Sequence, residues 1–171
     1  MADRSAPFES GTIEILASTP ATLDALLRDA PVDLYDRPDA GGWSTRHVLA
    51  HLLTVDKPAI RDRIQAMLEE DNPTIANVGA DATLKASEYR ELPLRELLTH
   101  FAKERGMTIE VLRSLDDAAW RRSGAHEQVG PITVADVVHH FVAHDMLHVG
   151  QIATMLGEPA DRAQGNMGTM G

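Results

Sequence analysis

Helical spacing of apolar side chains is the feature that most constrains how this chain can fold. In four long segments, apolar residues recur at intervals of three and four, and no strand-like alternation separates the segments. The segments cover about residues 9–29, 44–70, 93–115 and 133–156. The connections between them are long enough to permit a non-sequential order of helices. The pattern therefore predicts an all-α protein, an antiparallel four-helix bundle.

Local signals predict where these helices begin, bend and end. Ser44 is an expected N-cap, and Thr133 with Asp136 resembles a capping box at the start of the fourth helix. Pro20 predicts a kinked or two-piece first helix, and Pro58 should cost the second helix a hydrogen bond and bend it. Residues 71–92 are expected to form a long connection with at most one short helix.

Size and charge limit the classes of protein to which the chain can belong. Its 171 residues predict a single domain over 1–171, with a core at about 8–157 and a loose tail at 158–171. The net charge of −10 argues against a nucleic-acid partner and gives no reason to expect an anionic membrane surface as partner. No apolar run is long enough to span a bilayer and no signal peptide is visible, so a cytoplasmic location is expected.

The complete absence of cysteine limits the available chemistry. It excludes a disulfide framework, a thiolate metal site and a cysteine nucleophile in this chain. Sequence patterns of nucleotide-binding loops and serine hydrolases are missing as well. Any bound metal must therefore be held by nitrogen and oxygen ligands.

The fourth predicted helix carries histidines at every fourth position, His140, His144 and His148. Residues four apart lie on one face of a helix, so two imidazoles at this spacing can point at one metal ion. His148 falls within the apolar arc of the helix and His144 at its border. His140 lies roughly 40° further toward solvent. We therefore expect His144 and His148 to line a cleft and His140 to lie at its rim.

The second predicted helix offers a second pair of histidines, His47 and His51. His51 lies on the apolar face of its helix. A histidine in such a position is ordinarily a hydrogen-bonded core residue. Combined with the fourth helix, His51 completes a three-histidine site with open coordination positions, which is typical of catalytic metal centres. A four-histidine site that includes His47 is the competing arrangement.

Two charged residues, Arg105 and Asp145, interrupt the apolar faces of the third and fourth helices. A buried charge without a partner is very costly. We expect the two to pair with each other, or Asp145 to accept a hydrogen bond from the indole of Trp43. A carboxylate that orients a metal-bound imidazole is the functional alternative for Asp145, but the structural role is favoured.

Two stretches, RPDAGGWSTRHVLAHL (37–52) and AHDMLHVGQI (143–152), resemble the DinB-like (YfiT-like) metalloenzyme superfamily. In that family a Trp-Ser pair precedes the helix that bears the first metal histidine, and an HxxxH pair is followed by Gln-Ile. The resemblance covers most of residues 8–157. It implies a four-helix bundle in up-down-down-up order, commonly a homodimer, with a divalent metal at its centre.

Carried over from the family, the metal ligands fall on His51, His144 and His148. His47 and His140 match no ligand position, so the resemblance selects the three-histidine site. Zn²⁺ or Ni²⁺ is the expected ion. His126 and Glu127, in the loop before the fourth helix, are candidate accessory groups, and no catalytic residue is assigned.

Characterised relatives in the family include thiol-dependent S-transferases, so the resemblance implies a small-molecule substrate and a low-molecular-weight thiol as cosubstrate. A metal that lowers the pKa of a thiol would supply its thiolate at neutral pH. The same centre could activate water, so a metal-dependent hydrolase is the alternative. A non-catalytic, stress-associated bundle that binds a metal or a small ligand is the rival from another class.

Overall fold

The structure is a computed structural model that describes the backbone of residues 5–79 and 88–157 and the side chains of residues 11–79 and 88–157. The predicted tail, 158–171, lies outside the described residues. The main helices are α1 (Ser5–Leu27), α2 (Thr45–Asp56), α3 (Asp62–Glu69), α4 (Leu94–Arg113) and α6 (Val134–Gly157), with a short α5 at Asp117–Trp120. Short 3-10 helices lie at Val32–Leu34 and Glu88–Glu91.

The two prolines affect their helices differently. α1 is one helix with Pro20 inside it, so the two-piece alternative is wrong. Pro58 lies in a π-helical segment, Lys57–Arg61, that joins α2 to α3 into the second helix of the bundle. A proline provides no N–H for the regular hydrogen-bond ladder, and the wider π turn accommodates that loss.

Both predicted N-terminal caps are present. The Ser44 hydroxyl accepts a hydrogen bond from the backbone N–H of His47 at 3.3 Å. At the start of α6, the backbone N–H of Thr133 donates to the Asp136 carboxylate at 2.8 Å, and the N–H of Asp136 donates to the Thr133 hydroxyl at 3.1 Å. These reciprocal bonds satisfy N–H groups that a helix start leaves free.

A small sheet lies beside the bundle, contrary to the expectation of no strands. Its strands are β1 (Thr74–Ile75), β2 (Ser123–His126) and β3 (Gly130–Thr133), with β2 in the middle, parallel to β1 and antiparallel to β3. The strands are too short to show an alternating pattern in the sequence. A Cβ at Gly124 would lie 2.8 Å from Ile75 Cγ1, so the β1–β2 contact requires glycine there.

The order of the helices follows from two apolar clusters at opposite ends of the bundle. One cluster contains the early part of α1, the late part of the second helix, the late part of α4 and the early part of α6. The other contains the late part of α1, the early parts of α2 and α4, and the late part of α6. α1 and α6 therefore run in one direction and α2 and α4 in the other, which is the predicted up-down-down-up arrangement. None of the described helices is long and apolar enough to cross a membrane.

Candidate metal centre

Three histidine side chains from two helices converge between α2 and α6. One ring nitrogen each from His51, His144 and His148 lies within 4.8 Å of the other two. The ring centroids are 4.5–5.1 Å apart. Antiparallel packing of α2 against α6 brings His51 opposite an HxxxH pair whose two rings share one helical face. The structure thus brings together the residues that the sequence predicts as ligands.

Hydrogen bonds to Gln151 and Asp39 orient the ring of His148. Gln151 Nε2 donates to Asp39 Oδ2 at 2.8 Å, which leaves Gln151 Oε1 to accept a hydrogen bond from His148 Nδ1 at 2.8 Å. The bonds from the Gln151 side chain and the Trp43 backbone lower the pKa of Asp39 and keep it ionised. Since the proton of the neutral His148 ring is held on Nδ1, its Nε2 lone pair is free for a ligand.

His51 and His144 approach each other through their Nε2 atoms, which are 3.0 Å apart. The Nδ1 atoms of both rings are buried and lack a hydrogen-bond partner among the described residues. Burial, followed by the electrostatic influence of His144 and His148, lowers the pKa of His51 to about 3. His51 is therefore a neutral imidazole at physiological pH, the form that binds metals.

The donor set fits a divalent cation. Ligand nitrogens about 2.0–2.1 Å from zinc at tetrahedral angles lie about 3.3 Å from one another. The Nε2–Nε2 distance of 3.0 Å between His51 and His144 is close to that spacing. Two imidazole nitrogens this close require a shared proton or a cation between them. A set of three imidazole nitrogens without a carboxylate or a thiolate therefore suits a divalent metal ion.

Trp43 forms a wall of this site. Its ring stacks on that of His148 with centroids 6.3 Å apart and planes 12° apart, and it meets the ring of His51 edge-on at 5.2 Å. The indole therefore restricts the rotation of two of the three imidazoles. The predicted alternative, a hydrogen bond from Trp43 to Asp145, is not the arrangement found.

Two further histidines of these helices, His47 and His140, lie outside the cluster. The Nδ1 atom of His47 accepts from the backbone N–H of Ser44 at 3.4 Å, so His47 completes the N-terminal cap of α2. The ring of His140 lies 6.1 Å from that of His144, and its side chain is exposed at a cavity beside the cluster. The four-histidine arrangement with His47 is not formed.

Arg105 and Asp145 form a buried ion pair, as the sequence predicts. Arg105 Nη1 and Nη2 both donate to the Asp145 carboxylate, the second at 3.2 Å. Thr19 donates to the same carboxylate at 2.7 Å. Burial alone would raise the pKa of Asp145, but its hydrogen-bonded and charged neighbours, Arg105 among them, hold that pKa below its usual value. Asp145 Oδ1 is 3.9 Å from His144 Nδ1, too far for a hydrogen bond.

A second buried carboxylate, Asp56, completes this ion cluster. Arg105 Nε donates to Asp56 Oδ2 at 2.6 Å, and the Thr108 hydroxyl donates to Asp56 Oδ1. Arg105 Nη1 also donates to the backbone carbonyl of Leu16 at 3.1 Å. The guanidinium therefore lies between two carboxylates from different helices. Sequence reasoning missed Asp56, although an acid inside an apolar helix face is the same signal that singled out Asp145.

A cavity of about 460 Å³ opens beside the histidine cluster. His51 and His144 line one part of it, and His126 lines another. Of the two predicted accessory groups, only His126 faces the cavity. Glu127 instead accepts a hydrogen bond from the backbone N–H of Asn77 at 2.9 Å.

Sequence reasoning also assigned no role to Gln151 and Asp39. Gln151 stands three residues after His148, a spacing that places it on the same face of α6. That spacing was the available signal. Asp39 belongs to a turn in which its carboxylate accepts from the backbone N–H groups of Gly41 and Trp43, at 2.8 and 3.0 Å, and nothing in that local pattern points to α6.

Comparisons with known proteins identify the family and the fold of this chain. The sequence profile of the DinB superfamily matches residues 15–152. One solved structure is similar to this chain with a TM-score of 0.80 and 22% sequence identity. The match covers 91% of this chain and 89% of the chain in that structure. That structure is of YfiT from Bacillus subtilis, described as a probable metal-dependent hydrolase with an unusual four-helix bundle topology. A search of curated proteins found no match. The family match extends over most of the chain, which therefore belongs to the DinB superfamily.

Proposed function

We propose that this member of the DinB superfamily is a divalent-metal-dependent enzyme that transfers a low-molecular-weight thiol to a small electrophile. His51, His144 and His148 would hold the ion, Zn²⁺ or Ni²⁺. The observation that carries the proposal is the convergence of three imidazole nitrogens within 4.8 Å of one another. Because the chain contains no cysteine, the thiol has to be a separate cosubstrate.

Each residue around the centre has a defined task in this proposal. When bound, the ion lowers the pKa of a thiol or water ligand and so supplies a nucleophile at neutral pH. Gln151 and Asp39 hold the His148 ring with its Nε2 atom free. Trp43 limits the movement of the rings of His148 and His51. The adjoining cavity of about 460 Å³ is large enough for a small organic substrate.

Hydrolysis is the second candidate reaction. It is supported by the similarity in fold to YfiT, which is described as a probable metal-dependent hydrolase. The same centre would then act on water instead of a thiol. The homodimer implied by the family resemblance and the cytoplasmic location expected from the sequence stay predictions.

The metal content of purified protein tests the centre, and turnover tests the reaction. We expect about one equivalent of divalent metal in the wild type and strong loss of metal after alanine replacement of His51, His144 or His148. His47→Ala is the matched control, since this residue caps α2 and should leave the metal content unchanged.

Turnover is then measured with a panel of thiols and electrophiles, and with hydrolysable esters and amides in the absence of thiol. Turnover that requires thiol supports transfer, and thiol-independent turnover supports hydrolysis. Full metal content without turnover would favour a non-catalytic binding protein. Unchanged metal content in all three alanine variants would refute the centre itself.

A further inference from the structure

Arg63, on α3, is a cationic side chain at the cavity, and none of the described residues is an acidic partner for it. Its Nη2 atom donates to the backbone carbonyl of Ala76 at 2.9 Å, while its buried Nε atom has no hydrogen-bond partner among the described residues. In the described part of the chain, no carboxylate lies within ion-pair distance of this guanidinium. Burial lowers the pKa of Arg63, with no opposing contribution from an acid. A half-buried guanidinium in this position calls for an anion.

His126, on β2, adds a second donor beside Arg63. The backbone N–H of Gln128 donates to His126 Nδ1 at 3.2 Å. A ring nitrogen that accepts a hydrogen bond carries no proton, so the ring of His126 has a proton on Nε2. The Nε2 atom lies 3.3 Å from Arg63 Nη2. Two N–H groups thus face each other, and neither can accept from the other. A single oxyanion between them would accept from both.

Arg63 and His126 line the same cavity as His51 and His144 of the histidine cluster. Apolar side chains also line the cavity: Val55, Ala59, Ile132, Val137 and Phe141. The cavity therefore offers a cationic group, an apolar wall and the histidine cluster to one small molecule. That combination fits an organic acid with an apolar body.

Among the described residues, Asp136 is the one acid that lines the cavity, and it does not compete for this role. Its Oδ2 atom accepts from the backbone N–H and the hydroxyl of Thr133, at 2.8 and 2.7 Å, in the cap of α6. The cationic end of the cavity also contrasts with the net charge of −10 of the whole chain. An anionic ligand would explain why this acidic protein places here an arginine that has no ion-pair partner in the part of the chain that the structure describes.

We infer that Arg63 and His126 form an anion subsite that selects substrates with a carboxylate at one end of an apolar body. The subsite would place the reacting end of the substrate at the histidine cluster. The inference deepens the proposed function, on which it rests, because it names the chemical class of the substrate.

Calorimetric titration of metal-free protein with hexanoate and with neutral hexanamide tests the subsite. We expect hexanoate to bind about tenfold or more tightly than hexanamide, because a charge-assisted hydrogen bond is worth that much. Arg63→Met should abolish this preference while leaving the affinity for hexanamide unchanged. Arg121→Met removes the same charge from an exposed residue outside the cavity lining and should have no effect.

Arg63→Gln is the second variant, because its amide can still donate to the Ala76 carbonyl if loss of that bond unfolds the Met variant. Equal affinities of the wild type for the two ligands, or a hexanoate preference retained in the Arg63 variants, would overturn the inference. The metal plays no part in this titration, so its result is independent of the metal analysis that tests the proposed function.

Discussion

Two polar clusters interrupt the apolar interior of this bundle, and they differ in how completely their hydrogen bonds are satisfied. The ion cluster is centred on Arg105, between Asp56 and Asp145. The histidine cluster consists of His51, His144 and His148. His144 and Asp145 are consecutive in the chain, so the two clusters are direct neighbours. Their difference indicates which buried polar group serves the fold and which serves a ligand.

The ion cluster is closed. Every nitrogen of the Arg105 guanidinium donates to a carboxylate, and both carboxylates also accept from a threonine hydroxyl. Arg105, Asp56 and Asp145 are at most 2% exposed, so solvent and ligands have no access to them. Such a cluster joins four helices and leaves no position for another group.

The histidine cluster is open. Two of its rings have buried Nδ1 atoms without a partner among the described residues, and its ring nitrogens face one another. A native protein rarely leaves buried polar atoms unpaired. Incomplete hydrogen bonding, more than burial or residue type, therefore distinguishes the candidate metal site from its structural neighbour.

The largest effect is expected from Arg105→Met, which removes the cation of the closed cluster. Asp145 would then be buried without a cationic partner, and Asp56 would keep only Arg61, whose Nη1 atom is 3.7 Å from Asp56 Oδ1. We expect this to cost about 3–5 kcal/mol in the free energy of unfolding. Chemical denaturation measures this loss. Arg113→Met, on the same helix, removes an exposed arginine paired with Glu14 and should cost less than about 1 kcal/mol.

A further variant identifies the source of that loss. Combining Arg105→Met with Asp56→Leu and Asp145→Leu removes both buried carboxylates, while Arg61 keeps its pair with Glu104. This combination should recover much of the lost stability. If Arg105→Met were as mild as Arg113→Met, the description of this cluster as the structural one would be wrong.

An intermediate effect is expected from Gln151→Leu, which releases the ring of His148. Loss of a hydrogen bond that orients a metal ligand typically lowers metal affinity about 10- to 100-fold. Competition with a chelator of known affinity measures this change. Gln65→Leu, an exposed glutamine on α3, is the matched control. An unchanged metal affinity in Gln151→Leu would show that the open cluster does not depend on this orientation.

The smallest effect on stability is expected from His51→Phe in metal-free protein. The substitution removes a buried ring whose Nδ1 atom has no partner, so the free energy of unfolding should change by less than about 1 kcal/mol. Metal binding should be lost at the same time. A destabilisation as large as that of Arg105→Met would mean that both clusters serve the fold, and the contrast between them would disappear.

Local sequence patterns were sufficient for most of the fold. Apolar periodicity identified the four helices of the bundle, and Ser44 and Thr133 marked two of their starts. These signals are readable because a helix is built from contacts between residues three and four apart. The sheet was missed, since β1 has two residues and pairs with a strand about fifty positions away.

In the candidate site, the three histidine ligands could be predicted from the sequence, but the residues around them could not. The spacing of His144 and His148 on one helix indicated both residues, and the apolar face of its helix made His51 a candidate. The family resemblance then selected the three-histidine site. The residues that orient or surround them were not predicted. Gln151 contacts Asp39 across 112 positions of sequence, and Arg63 meets His126 across 63. No local period connects such pairs.

By itself, the sequence determined the helices, the histidines available as ligands, and the two charges that needed buried partners. These follow from residue type and from the geometry of a single helix. Only the tertiary structure decided that Arg105 has two carboxylate partners, that His47 caps a helix, and that one cavity joins the histidine cluster to Arg63. The reason is physical: these outcomes depend on how whole helices and strands pack, and packing is set by contacts between distant segments.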